Sequence, residues 1–598
     1  MKHLLFFRCS LLVFAVLALL AVSNTVRAQS NPRPVPPEWI TYAEKTGYRE
    51  TPRYQETVDY AKKLADGSPL IRYFSAGRSS EGREIPLLVA AEGGDFDPAS
   101  ARKAGKAVIL IQAAIHAGES DGKDAGFALL RDIALFKDDR ALLKDTVVLF
   151  IPIYNVDGHE LFSKYNRINQ NGPEEMGFRA NSANQNLNRD YMKADTHETR
   201  SWLTLWNIWS PDIFIDCHVT DGADFQYNIT WEYARHQEAP APLKAWMDRH
   251  YLEKVVPETE EYGDLLSPYI QLADRNDLTR GMFTFIATPR FATGYTPLRN
   301  RIGLLIEAHS LKPYKSRVRG TYDLLKSMIA EVSASKDSLI AANGEADRLA
   351  SERGKTHEDF PLSLRLTREP TSRDFKGVSF TYEDSYASGG KKLVYGSDPV
   401  NVTIPWYDTT QVSASVKAPT YYIVPAEWFE VIERLSFHGI GFERLNEARE
   451  IEVESYRFED PKWASAPFEG RITLTAKAVE ITEMRLFPKG SAVVPVSQPA
   501  SAVLIHLLEP DGPDSLFYWG FFNAIFERKE YGEAYALEAL ASEMLAGDPK
   551  LKAEFEEKLK DENFAKNPRA RLNFFYDRSG YKERLGVYPV GRVSRESL

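Results

Sequence analysis

Three short stretches of this sequence carry side chains that can bind a metal ion and move a proton. His116-Ala-Gly-Glu119 places an imidazole and a carboxylate three residues apart, at the end of the apolar run 108–114. Two such groups at a strand end can converge on one ion, and Gly118 between them permits a tight backbone turn. Ile213-Phe-Ile-Asp216-Cys217-His218 sets a second histidine at the end of another apolar run, and Gly303-Leu-Leu-Ile306 runs into Glu307. Two histidines and one carboxylate leave a fourth tetrahedral position open, the arrangement of a catalytic rather than a structural zinc site. Taken singly, the pieces also read as solvated loop residues and a strand-terminal surface acid.

Such groups need rigid supports, and the sequence supplies them. Near-continuous apolar runs at 85–91, 108–114, 146–154, 212–216 and 303–307 read as strands buried on both faces of an α/β sheet. Residues 54–65, 126–136 and 317–352 have helical patterning. Ligands gather at the carboxyl ends of strands in open α/β sheets, where His116, His218 and Glu307 fall. The stretch 354–374, rich in Arg, Thr and Pro, reads as a boundary. Beyond it, short alternating runs such as 400–403, 421–424, 451–453 and 472–476 predict antiparallel strands, and 534–559 predicts helix broken near Gly547 and Pro549.

In order along the chain, His116-x-x-Glu119, Asn155-Val-Asp-Gly158, Asn186-Leu-Asn188-Arg189, His218 and Glu307 resemble the skeleton of the zinc metallocarboxypeptidases, peptidase family M14 (carboxypeptidase A-like). Gly77-Arg-Ser-Ser-Glu-Gly82-Arg83 is similar to that family's opening signature, so the resemblance covers residues 50–315. It implies an α/β domain, a mixed sheet flanked by helices, holding one Zn2+ ion on His116, Glu119 and His218. It further implies that Glu307 is the general base, taking a proton from water activated by the metal and passing it to the leaving amine. Asn188 and Arg189 match the pair that clamps a substrate's terminal carboxylate, a task suited to a planar guanidinium.

The chain departs from that pattern in three places. Asn186 stands where a carboxylate backs a zinc-bound histidine, a neutral partner that lowers ligand basicity. Gln170 occupies the position of the arginine that polarises the carbonyl, so either Arg167 or Arg179 takes that role or the role is lost. Tyr295, in Thr293-Gly-Tyr-Thr-Pro297, is the best match to the family's mobile substrate-binding tyrosine, although it lies closer to Glu307 than the pattern requires.

Other motifs are set aside. Gly118-x-x-x-Gly122-Lys123 is one residue short of a phosphate loop, and no His-Glu-x-x-His occurs. Cys217, between Asp216 and His218, should face the opposite side of its strand as a core residue. His309, two residues after Glu307, reads as a structural residue with a rival third-ligand or substrate-contact role as the alternative, while His159, His197 and His438 read as structural.

Across 598 residues, 74 Lys+Arg against 84 Asp+Glu give a net charge of −10, which argues against nucleic acid as a partner. Two cysteines cannot build a disulfide framework. Lys2 and Arg8, an apolar core at 11–22 and Val26-Arg27-Ala28 form the pattern of a signal peptide with a cleavage site after Ala28, which implies a secreted or periplasmic protein, an uncleaved anchor being the alternative. That core is too short to span a bilayer comfortably, so no stable membrane span is expected after its removal. The expected organisation is a signal peptide over 1–28, a zinc carboxypeptidase-like domain over 29–355 and a β-rich or α+β accessory region over 356–598 ending in helices. The expected activity is hydrolysis at peptide or protein C-termini. A zinc amidase or deacylase acting on another amide, such as a cell-wall peptide, and a catalytically weak binding protein are the alternatives. Oligomeric state is left open.

Overall fold

A computed structural model describes residues 33–274 and 277–594. The expected signal peptide lies outside them. The chain forms two compact units. The first runs to Ala418 and takes in Arg434–Ile440 and Ser497–His506; the second comprises Pro419–Glu433, Gly441–Val496 and Leu507–Leu598.

The first unit is built on an eight-stranded mixed sheet. Its strands are Ile71–Arg78 (β1), Glu84–Ala91 (β2), Ala107–Ala113 (β3), Thr146–Ile151 (β4), Ile213–Val219 (β5), Ile229–Glu232 (β6), Leu266–Pro268 (β7) and Ile302–Ala308 (β8), in the spatial order β1-β2-β4-β3-β5-β8-β6-β7. Every residue of β3, β4, β5 and β8 is buried, which is why these strands stand in the sequence as unbroken apolar runs. Alternate residues serve opposite faces. One face, with Ile109, Ile111, Ile213, Ile215, Cys217, Leu304 and Ile306, joins a single core with helices Tyr54–Gly67 (α1), Asp121–Leu135 (α2) and the first half of Tyr314–Thr356 (α4). The other face meets His197–Trp209 (α3), where Trp202 packs edge-on against Phe214 at 5.5 Å.

Cys217 therefore points into the core, and Asp216 and His218 share the α3 face with Phe214. The parallel register of β5 and β8 pairs His218 with Glu307, while β6 on the other side sets Thr230 opposite Glu307. The chain moves outward in opposite directions from β3, to β4 and to β5, so the ends of β3 and β5 flank the point where the strand order reverses.

The stretch expected to be a boundary is instead structured. α4 ends at His357, a left-handed residue at φ 51°. The chain then pairs Asp359–Leu366 (β9) with Thr410–Lys417 (β12), and Thr371–Asp384 (β10) with Lys391–Tyr407 (β11), all within the first unit. Several of the Arg, Thr and Pro residues that resemble a linker, among them Arg365, Thr371 and Arg373, stand in these ladders, and the first unit extends well past residue 355.

In the second unit a six-stranded antiparallel sheet runs Glu443–Arg444, Ala492–Pro495, Tyr421–Val424, Gly591–Val593, Arg449–Trp463, Leu474–Phe487. Helices Ala534–Gly547 and Pro549–Lys558 follow, broken where Gly547 and Pro549 predict, and the mixed β-then-α order fits the expectation.

Candidate metal centre

β3 ends at Ala113, and Ala114 turns the chain through the left-handed region at φ 56° before His116. That strained turn is held from outside. Tyr154 and Asn155 donate backbone hydrogen bonds to the carbonyls of Ala113 and Ala114, and Asn155 Nδ2 donates to Ile115 O at 3.3 Å and Arg179 O at 3.2 Å. Asp157, two residues on and buried, accepts from Ser79 Oγ at 2.7 Å, Glu81 N at 2.9 Å and Arg83 Nη1 at 2.7 Å. Two motifs distant in the sequence thus meet as the scaffold of the His116 loop.

His116, Glu119 and His218 come together as one buried set, their ligand atoms all within 4.8 Å of one another. The two histidine Nδ1 atoms face each other at 3.2 Å; Glu119 reaches His116 Nδ1 with Oε1 at 3.0 Å and His218 Nδ1 with Oε2 at 2.9 Å. The far nitrogen of each ring is held separately: His116 Nε2 by Asn186 Oδ1 at 3.2 Å, His218 Nε2 by Asp216 Oδ2 at 2.9 Å. Two ring nitrogens and a carboxylate converging out of water, each ring steadied from behind, fit the donor set of a zinc ion.

Charge is unevenly distributed. Burial works against a charged His218, but Asp216 and Glu119 outweigh it and hold the imidazole well above its ordinary value. His116 is pushed down to about 3 by burial. Burial alone would raise Glu119, yet the Arg167 guanidinium and the two histidines keep it well below the usual carboxylate range. Glu307 is buried beside them and pushed up to about 8, chiefly by loss of water, with His218 and Arg167 opposing and Glu119 and Asp221 adding to the rise. Its Oε2 has no hydrogen-bond partner among the described residues.

Both candidate arginines reach Glu119, Arg167 at 2.7 Å and Arg179 at 3.7 Å. Gln170 holds the nearer one, accepting from Arg167 Nε at 2.6 Å while donating to the Gly118 carbonyl at 3.0 Å. Gly118 earns its place differently from the expected tight turn: a Cβ there would lie 2.6 Å from Arg167 Cδ and 2.7 Å from Gly177 O. The glycine admits the arginine.

Asn188 and Arg189 lie in a short 3-10 turn, Leu187–Arg189. Asn188 is tied on both sides, its Oδ1 accepting from Ala292 N at 2.9 Å and its Nδ2 lying 3.5 Å from His218 Nε2. The half-buried Arg189 lies over the Phe291 ring at 4.1 Å.

Tyr295 is not brought into the site. It is fully buried, its hydroxyl at 2.8 Å from His438 Nδ1 and 3.1 Å from Arg299 Nη1, and it packs against Tyr191 and Trp202. The tyrosine in the field of Glu307 is the half-buried Tyr269, whose hydroxyl is raised first by burial and then by Glu307 and Asp221. His309 is likewise outside the ligand set, bonded through Nε2 to Asp224 Oδ1 at 2.8 Å and stacked on Phe225 at 4.0 Å. Two contributors were missed in the sequence. Asp216 was readable, because residues two apart on a strand share a face with His218; Tyr269 carries no local signal.

Residues 57–212 match the family model for zinc carboxypeptidase, Peptidase_M14. That span holds His116, Glu119, Asn188 and Arg189 and stops short of His218 and Glu307. Carboxypeptidase 2 of Trichophyton rubrum is 22% identical over 491 residues, 78% of this chain and 84% of the relative, and carboxypeptidase 2 of Trichophyton equinum matches to the same extent. Among solved structures, a metallo-carboxypeptidase from Burkholderia cenocepacia aligns at 16% identity and a TM-score of 0.35, over 47% of this chain and 69% of its own. Carboxypeptidase A from Helicoverpa armigera aligns at 14% identity and a TM-score of 0.36, over 50% and 75%. Over residues 57–212 the chain is thus similar to the zinc carboxypeptidases of the Peptidase_M14 model, and the first unit adds to that match a mixed sheet and a His-Glu-His set.

Proposed function

We propose that this chain is an exported, zinc-dependent metallocarboxypeptidase that removes residues from peptide C-termini. The observation that carries this reading is the convergence of His116, Glu119 and His218 at the strand-order reversal, with Glu307 in register beside His218. Zinc, when bound by those three residues, supplies Lewis-acid polarisation of a carbonyl and acidifies water.

The chain's own residues do the rest. Glu307, buried in register beside His218 with an unpaired Oε2, takes up a proton from water and returns it to the leaving amine. Asn188 and Arg189 bind the terminal carboxylate, with the guanidinium exchanging its place over Phe291 for the substrate. Arg167, aimed by Gln170, places positive charge where the scissile carbonyl becomes negative. Export through residues 1–28 belongs to the same reading.

The test uses the chain from residue 29 onward: bound zinc is quantified, and hydrolysis of peptides with free and with amidated C-termini is compared. One zinc per chain and a strong preference for free C-termini are expected. Zinc binding with no turnover of either peptide would refute the enzyme, and equal turnover of both would refute the clamp.

A further inference from the structure

The first unit is closed by a segment that arrives late in the chain. Residues 434–440 pack into it, and two of their polar side chains, Arg434 and His438, turn toward the loop that carries the clamp. Arg434 Nε donates to Lys193 O at 3.2 Å and its Nη2 pairs with Asp195 at 3.0 Å, both with little exposure. His438 is fully buried and makes two hydrogen bonds, to Met192 O at 3.0 Å and to the Tyr295 hydroxyl at 2.8 Å. A carbonyl can only accept, so Nε2 carries the ring proton and Nδ1 accepts from the tyrosine. Burial lowers the histidine to about 3, which keeps that neutral tautomer in place.

The contacts lead in two directions to the same residue. Met192 and Lys193 follow Arg189 by three and four positions. Tyr295 closes the short helix Ala292–Tyr295, whose first amide donates to Asn188 Oδ1. Tyr191 N also bonds Arg290 O at 3.3 Å, joining the two backbone segments directly. A buried, neutral histidine with both nitrogens satisfied is a fixed post rather than a proton donor.

We propose that residues 434–440 are a positioning element for the carboxylate clamp, with His438 and Arg434 setting the place of Asn188 and Arg189 through Met192, Lys193 and Tyr295. The inference rests on the carboxypeptidase reading for its functional consequence. It turns Tyr295 from a substrate contact into a link between His438 and the clamp. Neither His438 nor Arg434 touches substrate; they act on the loop that does.

The test compares the unsubstituted chain with His438→Ala, the milder Tyr295→Phe and His438→Gln, which can keep both hydrogen bonds. The preference for free over amidated C-termini, expressed as the ratio of kcat/KM values, should fall about tenfold in His438→Ala and Tyr295→Phe while zinc content holds, because clamp misplacement costs orientation rather than metal. His438→Gln should restore most of it. Amide hydrogen exchange at residues 187–195 and at Ala292 should rise in the first two variants and not in the third. An unchanged preference in a chain that discriminates, or unchanged exchange at those amides, overturns the proposal. So does a uniform rise in exchange with loss of zinc, which would make the segment a support for the fold at large. If the unsubstituted chain itself does not discriminate, the carboxypeptidase reading fails, and the exchange pattern still decides whether the segment positions this loop.

Discussion

Asp216 and Asn186 stand in the same relation to the two histidines, each accepting from or abutting the Nε2 that faces away from the ligand cluster. Burial works against a charged ring at both, but Asp216 and Glu119 hold His218 up, whereas His116, with only a neutral amide behind it, is lowered by burial. Asp216→Asn should therefore weaken zinc binding by about 10- to 100-fold, measured by competition with a chelator. Glu307→Gln should leave zinc content intact and lower kcat by about 10²- to 10⁴-fold, since it removes only the group that accepts the proton; a near-normal rate would refute its role as base. His116, His218 and Glu307 stood out in the sequence because each lies at the end of an apolar run, and Glu119 because it stands three residues after His116. Tyr295 misled because its motif gives type and spacing but not direction, and in the structure its ring completes an aromatic core. Gln170, read only as a missing arginine, is the residue that aims Arg167.

At the scale of elements, the buried strands were the most legible feature, because a strand covered on both faces must be apolar throughout. The 359–417 ladders were the least, since exposed strands carry the Thr, Arg and Pro that also mark linkers. Close contact between elements can be tested at Gly122, where α2 crosses β5. A Cβ there would meet Cys217 Cβ at 2.3 Å, backbone-anchored on both sides. Gly122→Ala should cost about 1–3 kcal/mol in urea unfolding, the usual penalty of overpacking. Because Cys217 lies between Asp216 and His218, the same substitution should also weaken zinc binding, read by the chelator competition.

For the molecule as a whole, acidity is the simplest lever. Burial lowers His159 to about 4, and His438 and His506 to about 3. Unfolded, these groups titrate at about 6.5. Between pH of about 6.5 and 3 the unfolded chain binds protons that the folded chain refuses, so stability is retained above that window and falls as pH drops through it. Urea midpoints measured from pH 8 to pH 4.5 should be level with respect to these groups at the top and decline below about 6.5, and His506→Gln should flatten part of the decline. A fragment ending at residue 355, the boundary expected from sequence, should melt well below the full chain, because the first unit continues to Ala418 and includes Arg434–Ile440 and Ser497–His506. Differential scanning calorimetry of the fragment would show it.

That discontinuous boundary also orders events in time. The metal ligands and Glu307 leave the ribosome early, but Arg434 and His438 cannot reach the Asn188 loop until the chain has been made through Ile440, and the unit does not close until His506. On the proposed function, a nascent or prematurely terminated chain would gather the proposed zinc-binding residues while lacking the contacts proposed to set its clamp. On that reading, the order of synthesis would hold back clamp-dependent cleavage until residue 440 has been made.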